Sequence, residues 1–110
     1  MTKWDKEIQI KDSVEVEILE MFFSKLEKRR MVVGRSKEVK KLFDVDYLGF
    51  EENFGIVDVF ARCEYSWLWF PLFRIMLKDD KLRIKKYGDY DVKDKELLEC
   101  LLEMAIEVAL

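Results

Sequence analysis

Histidine is absent from the 110 residues, and its absence excludes more chemistry than any residue present suggests. It removes Ser–His–Asp and Cys–His catalysis, the commonest general base and the commonest metal ligand. Cysteine is scarce. Cys63 and Cys100 lie far apart and form no CxxC pair. Zinc would have to draw four ligands from these two and from carboxylates. Each cysteine reads as a small buried hydrophobe, with a Cys63–Cys100 disulfide as the alternative in a heat-adapted chain. There are four glycines and one proline. No GxGxxG or GxxxxGK[ST] loop exists to cradle a phosphate, so no nucleotide cofactor is expected. No linker or repeat divides the chain, and residues 1–110 read as one domain.

Long apolar runs are missing too. The longest, residues 67–73, is closed by Arg74 and falls far short of the roughly 20 residues of a spanning helix. The opening MTKWDKEIQIKD reads as neither a secretion signal nor a transit peptide. The expectation is a cytoplasmic protein with no membrane contact. Uncharged polar residues are rare, with one Gln (Gln9), one Asn (Asn53) and one Thr (Thr2), whereas 39% of residues are charged. Abundant charge with few thermolabile amides is a hyperthermophile-like composition.

Hydrophobic periodicity supplies the positive evidence. Val14, Ile18, Leu19, Phe22, Phe23 and Leu26 recur at helical spacing. With Asp12 or Ser13 as cap and Gly34 as the residue past the end, the pattern predicts a helix over 13–31. Ser36 then caps a short helix through Phe43. Together these form an N-terminal helical hairpin, in which a helix-turn-helix is conceivable, although its second helix is too short for a typical groove reader.

Alternation takes over next. Val57, Val59, Ala61, Cys63 and Tyr65 alternate with Asp58, Phe60, Arg62 and Glu64. Residues 67–77 are apolar on both faces and predict a strand covered on both sides. Pro71 marks an edge or a bulge there. Asp79-Asp80 is a tight turn into a strand over 82–87, and further strands fall near 47–50 and 8–10. The last helix starts near Lys95, with Asp94 as cap. Its apolar arc of about 200° is wider than one sheet contact needs, so it must also touch the first helix or another subunit. The fold class is α+β, with the helical hairpin, an antiparallel β-sheet of three or more strands, and the C-terminal helix packed on one face.

Carboxylates are the remaining catalytic groups. The stretch 44–46 resembles the start of a calcium loop, but Leu48 and Gly55 fall where oxygen ligands belong. Asp58 and Glu64 suit a metal-dependent nuclease, yet the triplet Glu64-Tyr65-Ser66 lacks the lysine that steadies the attacking water. A metal-dependent carboxylate enzyme is therefore a remote alternative. No catalytic, cofactor or metal residue is assigned.

Two surfaces stand out. One is basic. Between residues 25 and 41, eight cations oppose two acids, a net of +6. That leaves −9 on the rest of a chain whose total is −3. Lys28, Arg29, Arg30, Arg35, Lys37, Lys40 and Lys41 make a candidate nucleic-acid patch, since phosphate binding needs a local cluster rather than a basic protein. Against this, lysine and arginine favour helix C-termini for their own stability. The other surface is apolar. Trp67, Trp69 and Phe70, with Leu98, Leu102 and Ile106 of the last helix, form a candidate interface, because aromatic anchors dominate interface energetics. The leading expectation is a small non-catalytic domain acting through protein–protein association, as a homo-oligomer or with a protein partner. The alternative is a nucleic-acid-binding accessory protein.

Overall fold

The computed structural model of the chain describes residues 3–27, 29, 31–35 and 37–109. It is an α+β fold of six strands and three helices. In chain order these are β1 (Lys6–Gln9), α1 (Ser13–Leu26), β2 (Val32–Gly34), α2 (Lys37–Phe43), β3 (Tyr47–Asn53), β4 (Ile56–Arg62), β5 (Phe70–Lys78), β6 (Lys81–Lys86) and α3 (Asp94–Ala109). The strands form one antiparallel sheet in the order β1-β6-β5-β4-β3-β2. β2 to β6 thus form a meander, and β1 closes the far edge against β6.

The helices lie on one face. Phe22 of α1 meets Phe50 of β3 edge-on, with ring centroids 5.0 Å apart. Phe43 of α2 packs on Phe73 of β5 at 6.0 Å. A methyl group at Gly34 would overlap the end of the Met104 side chain, so α3 crosses close above β2. Alternation then divides the sheet. Leu48, Phe50, Val57, Val59, Phe73, Ile75, Leu82 and Ile84 are buried beneath the helices. Their neighbours Asp58, Phe60, Arg62, Arg74, Met76, Arg83 and Lys85 are half-exposed on the other face. The wide apolar arc of α3 is explained within the chain, because α1 and α3 pack on each other as well as on the sheet.

The N-terminal helical hairpin is not what forms. β1 precedes α1, and β2 separates α1 from α2, which also removes the helix-turn-helix. α1 stops at Leu26. Glu27 leaves helical geometry with ψ 133° and donates its N–H to Phe23 O at 3.2 Å. The adjacent Val32 and Val33 are stiff at χ1 and suit a pleated surface better than a helix. Gly34 therefore ends a strand instead of a helix. Ser36, the expected cap of α2, lies outside the described residues. Asp12 caps α1 through Val14 N–H at 2.8 Å. Asp94 is the first residue of α3 rather than its cap, since Leu97 N–H bonds Lys93 O at 3.0 Å.

β5 differs from expectation in two ways. It begins at Phe70, leaving Trp67–Trp69 in the connection, and only one of its faces is covered. Pro71 does mark a bulge. Phe73 pairs with Val59 but Pro71 with Phe60, so Leu72 is the extra residue. Pro71 also lies past the last β6 pairing, Phe73 with Lys86, where its missing N–H breaks no ladder bond. Asp79 and Asp80, with φ of 53° and 60°, make the tight turn between β5 and β6. Positive φ at both positions is the type I′ requirement. Phe54-Gly55 turns β3 into β4 in the same way, with φ of 54° and 81°.

Candidate functional site

The two surfaces that the sequence holds apart meet at one end of the sheet. β3 starts there, β4 ends there, and the β4–β5 connection leaves from it. Tyr47, the first residue of β3, lies directly across from Arg62, the last of β4. The Arg62 guanidinium lies 4.5 Å from the Tyr47 ring centroid and 5.4 Å from that of Trp69. Arg35, just past β2, lies 5.0 Å from the same tyrosine. Guanidinium planes over aromatic faces are attractive and need no counter-ion. Trp69 itself lies over Gly49. A Cβ there would stand 2.8 Å from the sulfur of Met31 and 3.2 Å from the indole, so only glycine leaves room for both.

Asp46 joins the basic segment to the connection. Its Oδ1 accepts from Lys40 Nζ at 2.6 Å and its Oδ2 from Glu64 N–H at 2.7 Å. The Lys40 hydrogen bond, followed by that of the Glu64 amide, holds the Asp46 carboxyl below the usual carboxylate range. Reciprocally, Asp46 raises the Lys40 pKa. Arg62 steadies the same connection, donating from Nη1 to Ser66 O at 2.7 Å. Ser66 Oγ accepts from Leu68 N–H at 3.2 Å. A backbone held at these points presents its side chains outward. Tyr65 is 96% exposed, Trp67 92% and Leu68 77%, and Phe70 at the start of β5 is 41% exposed.

The basic segment is only partly available. Lys28 and Arg30 lie outside the described residues. Arg29, Lys37 and Lys41 are exposed, whereas Lys40 is paired with Asp46. Arg35, Lys37 and Lys40 line a shallow hollow of about 340 Å³ that Asp46 and Glu103 share, so its lining carries both signs. Of the candidate interface, Leu98 and Leu102 are half-buried against the core, and Ile106 is exposed.

In the sequence, Asp46 stands out only as part of a failed calcium-loop match, Tyr47 only as a strand residue, and Arg62 only as part of a polar strand face. Nothing local distinguishes them, because their partners are supplied by register and by other elements. Asp58, the acid that a nuclease would use, faces Arg74 across the β4–β5 pair and accepts from its Nε at 2.6 Å. Among the described residues, no three potential ligands stand close enough together to hold a metal ion. Cys63 is exposed, Cys100 is buried, and both are free thiols. No described helix is long and apolar enough to cross a membrane. Protein-family models, curated proteins and solved structures offer no match to this chain.

Proposed function

We propose that this chain is a non-catalytic association domain that forms a homodimer through its β4–β5 connection. The observation that carries the reading is the exposure of Tyr65, Trp67, Leu68 and Phe70 on a backbone that Arg62 and Asp46 hold in place. Large aromatic anchors on a preorganised segment lose little freedom on binding. The occupant proposed is a second copy. A two-fold contact sets a patch against itself. An uncharged centre satisfies that condition. Ile106 is the residue of α3 that remains free to contribute.

Light scattering on a sizing column tests this with wild type and with Trp67→Ser combined with Leu68→Asp. The expected result is a two-chain mass for wild type and a one-chain mass for the variant, with unchanged far-UV dichroism. Wild type eluting as one chain at the highest soluble concentration rejects the reading.

A second reading, nucleic-acid binding by the basic segment, is supported by the meeting of Arg35 with Tyr47 and Arg62, which brings cations and ring faces together. It predicts affinity that falls steeply with salt and is lost in Lys37→Glu with Lys41→Glu.

A further inference from the structure

The sheet face turned away from the helices carries Tyr47 and Arg62 at one end, and the rest of it is used by neither reading. Its charges are arranged unusually. On that face β5 and β6 present five cations, Arg74, Lys78, Lys81, Arg83 and Lys85, and no acid. Two of the directly opposed pairs are like-charged, Lys78 with Lys81 and Arg74 with Lys85. Such pairs weaken a sheet. Neighbouring strands relieve part of the repulsion. Asp58 binds Arg74 at 2.6 Å, and Glu7 lies 3.1 Å from Arg83 and 3.6 Å from Lys81. Lys78 and Lys85 have no carboxylate within ion-pair distance among the described residues.

The other end of the same face is aromatic. Phe60 of β4 pairs across from Gly49, over which Trp69 lies. Both rings are half-exposed, and Tyr47 adds a third beside Arg62. Cations at one end and accessible ring faces at the other complement a ligand that carries phosphates and flat bases together.

We propose that this open face binds single-stranded nucleic acid, with phosphates along Lys78 and Lys85 and bases on Phe60 and Trp69. Ring stacking requires bases that are not already stacked in a duplex, which selects single strands. The cations supply the salt-dependent, sequence-independent part of the affinity. This site shares its ligand class with the second reading above and borders the same Tyr47 and Arg62, but its cations Lys78 and Lys85 are distinct, so the two can fail separately.

Fluorescence anisotropy with a labelled oligo-dT of about 15 nucleotides tests it, with a duplex of equal length and a poly-glutamate peptide as competitors. Three variants are compared with wild type: Lys78→Glu with Lys85→Glu, Phe60→Ala with Trp69→Ala, and Lys37→Glu with Lys41→Glu. The expected result is single-strand affinity at least about tenfold above that for duplex or poly-glutamate. Lys78→Glu with Lys85→Glu, which changes only exposed or half-exposed side chains, weakens it about tenfold and steepens no other property. The aromatic pair loses affinity while keeping the wild-type salt slope. Equal affinity for duplex overturns the proposal, as does equal affinity for poly-glutamate, which marks an acidic-peptide site. Unchanged binding in the Lys78/Lys85 variant also overturns it. If only Lys37→Glu with Lys41→Glu then loses binding, the basic-segment reading stands alone. A wild type that binds no oligonucleotide removes both.

Discussion

At the scale of single residues, the two cysteines show how burial sets reactivity. Burial within the α3 core pushes the Cys100 thiol up to about 12, with Glu103 and Glu38 adding to the effect. A thiol this reluctant to ionise is a poor nucleophile at neutral pH. Cys63 lies exposed at the end of β4. A thiol-specific reagent at pH 8 is therefore expected to titrate one thiol per chain in the native protein and two after denaturation. Two thiols in the native protein would show that the helix opens. Phe54 illustrates a different cost. It holds φ at 54° while fully exposed at the tip of the β3–β4 hairpin, and the turn is stabilised by Glu52, whose Oε1 accepts from Gly55 N–H at 2.8 Å.

Among the elements, the β4–β5 connection is the one whose order depends most visibly on charge. Asp46 ties it to α2 only while ionised, because both of its oxygens act as acceptors. Its folded pKa is depressed, so this contribution is present above the ordinary carboxylate value and disappears as pH falls through the lower folded value. Lys40 carries the opposite sign. Its pKa is raised, so its contribution is complete below the ordinary lysine value and is lost only as pH rises past the raised one. The pair is thus intact from mildly acidic to mildly basic pH. Asp46→Asn should remove the acid-side dependence. Tryptophan fluorescence of the connection, followed from pH 6 to pH 2, should change at lower pH in wild type than in solvent-exposed carboxylate controls and should show no such step in the variant. An identical step in both would assign the titration to another group.

For the whole molecule, the distribution of charge matters more than its total. A chain of net −3 carries a basic segment of +6, and the structure links Lys40 of that segment through Asp46 to the exposed aromatic connection. The short edge strands β1 and β2, of four and three residues, discourage pairing edge to edge, so the proposed homodimer is assigned to the connection. Dimerisation links stability to concentration. Relative to no association, a concentration about a hundred times Kd contributes about 2.7 kcal/mol and raises Tm by several degrees. Scanning calorimetry up to that concentration should show the rise in wild type and none in Trp67→Ser with Leu68→Asp.

Local patterns in the sequence determined the α+β class, a cap at Asp12 or Ser13, the turn at Asp79-Asp80, an edge or a bulge at Pro71 and a last helix from about Lys95. Each depends on neighbours within a turn of helix or a few residues of strand, where period and backbone preference act directly. Only the tertiary structure decided that residues 32–34 form an edge strand, because three residues are too few to display a period. The same holds for the sheet order and for the choice of open face, which depend on where α1 and α3 pack. The cluster of Arg35, Tyr47, Arg62 and Trp69 is the clearest case. Its members come from β2's end, β3, β4 and the following connection; strand register sets Arg62 across from Tyr47, and the chain past β2 and the connection bring Arg35 and Trp69 to them.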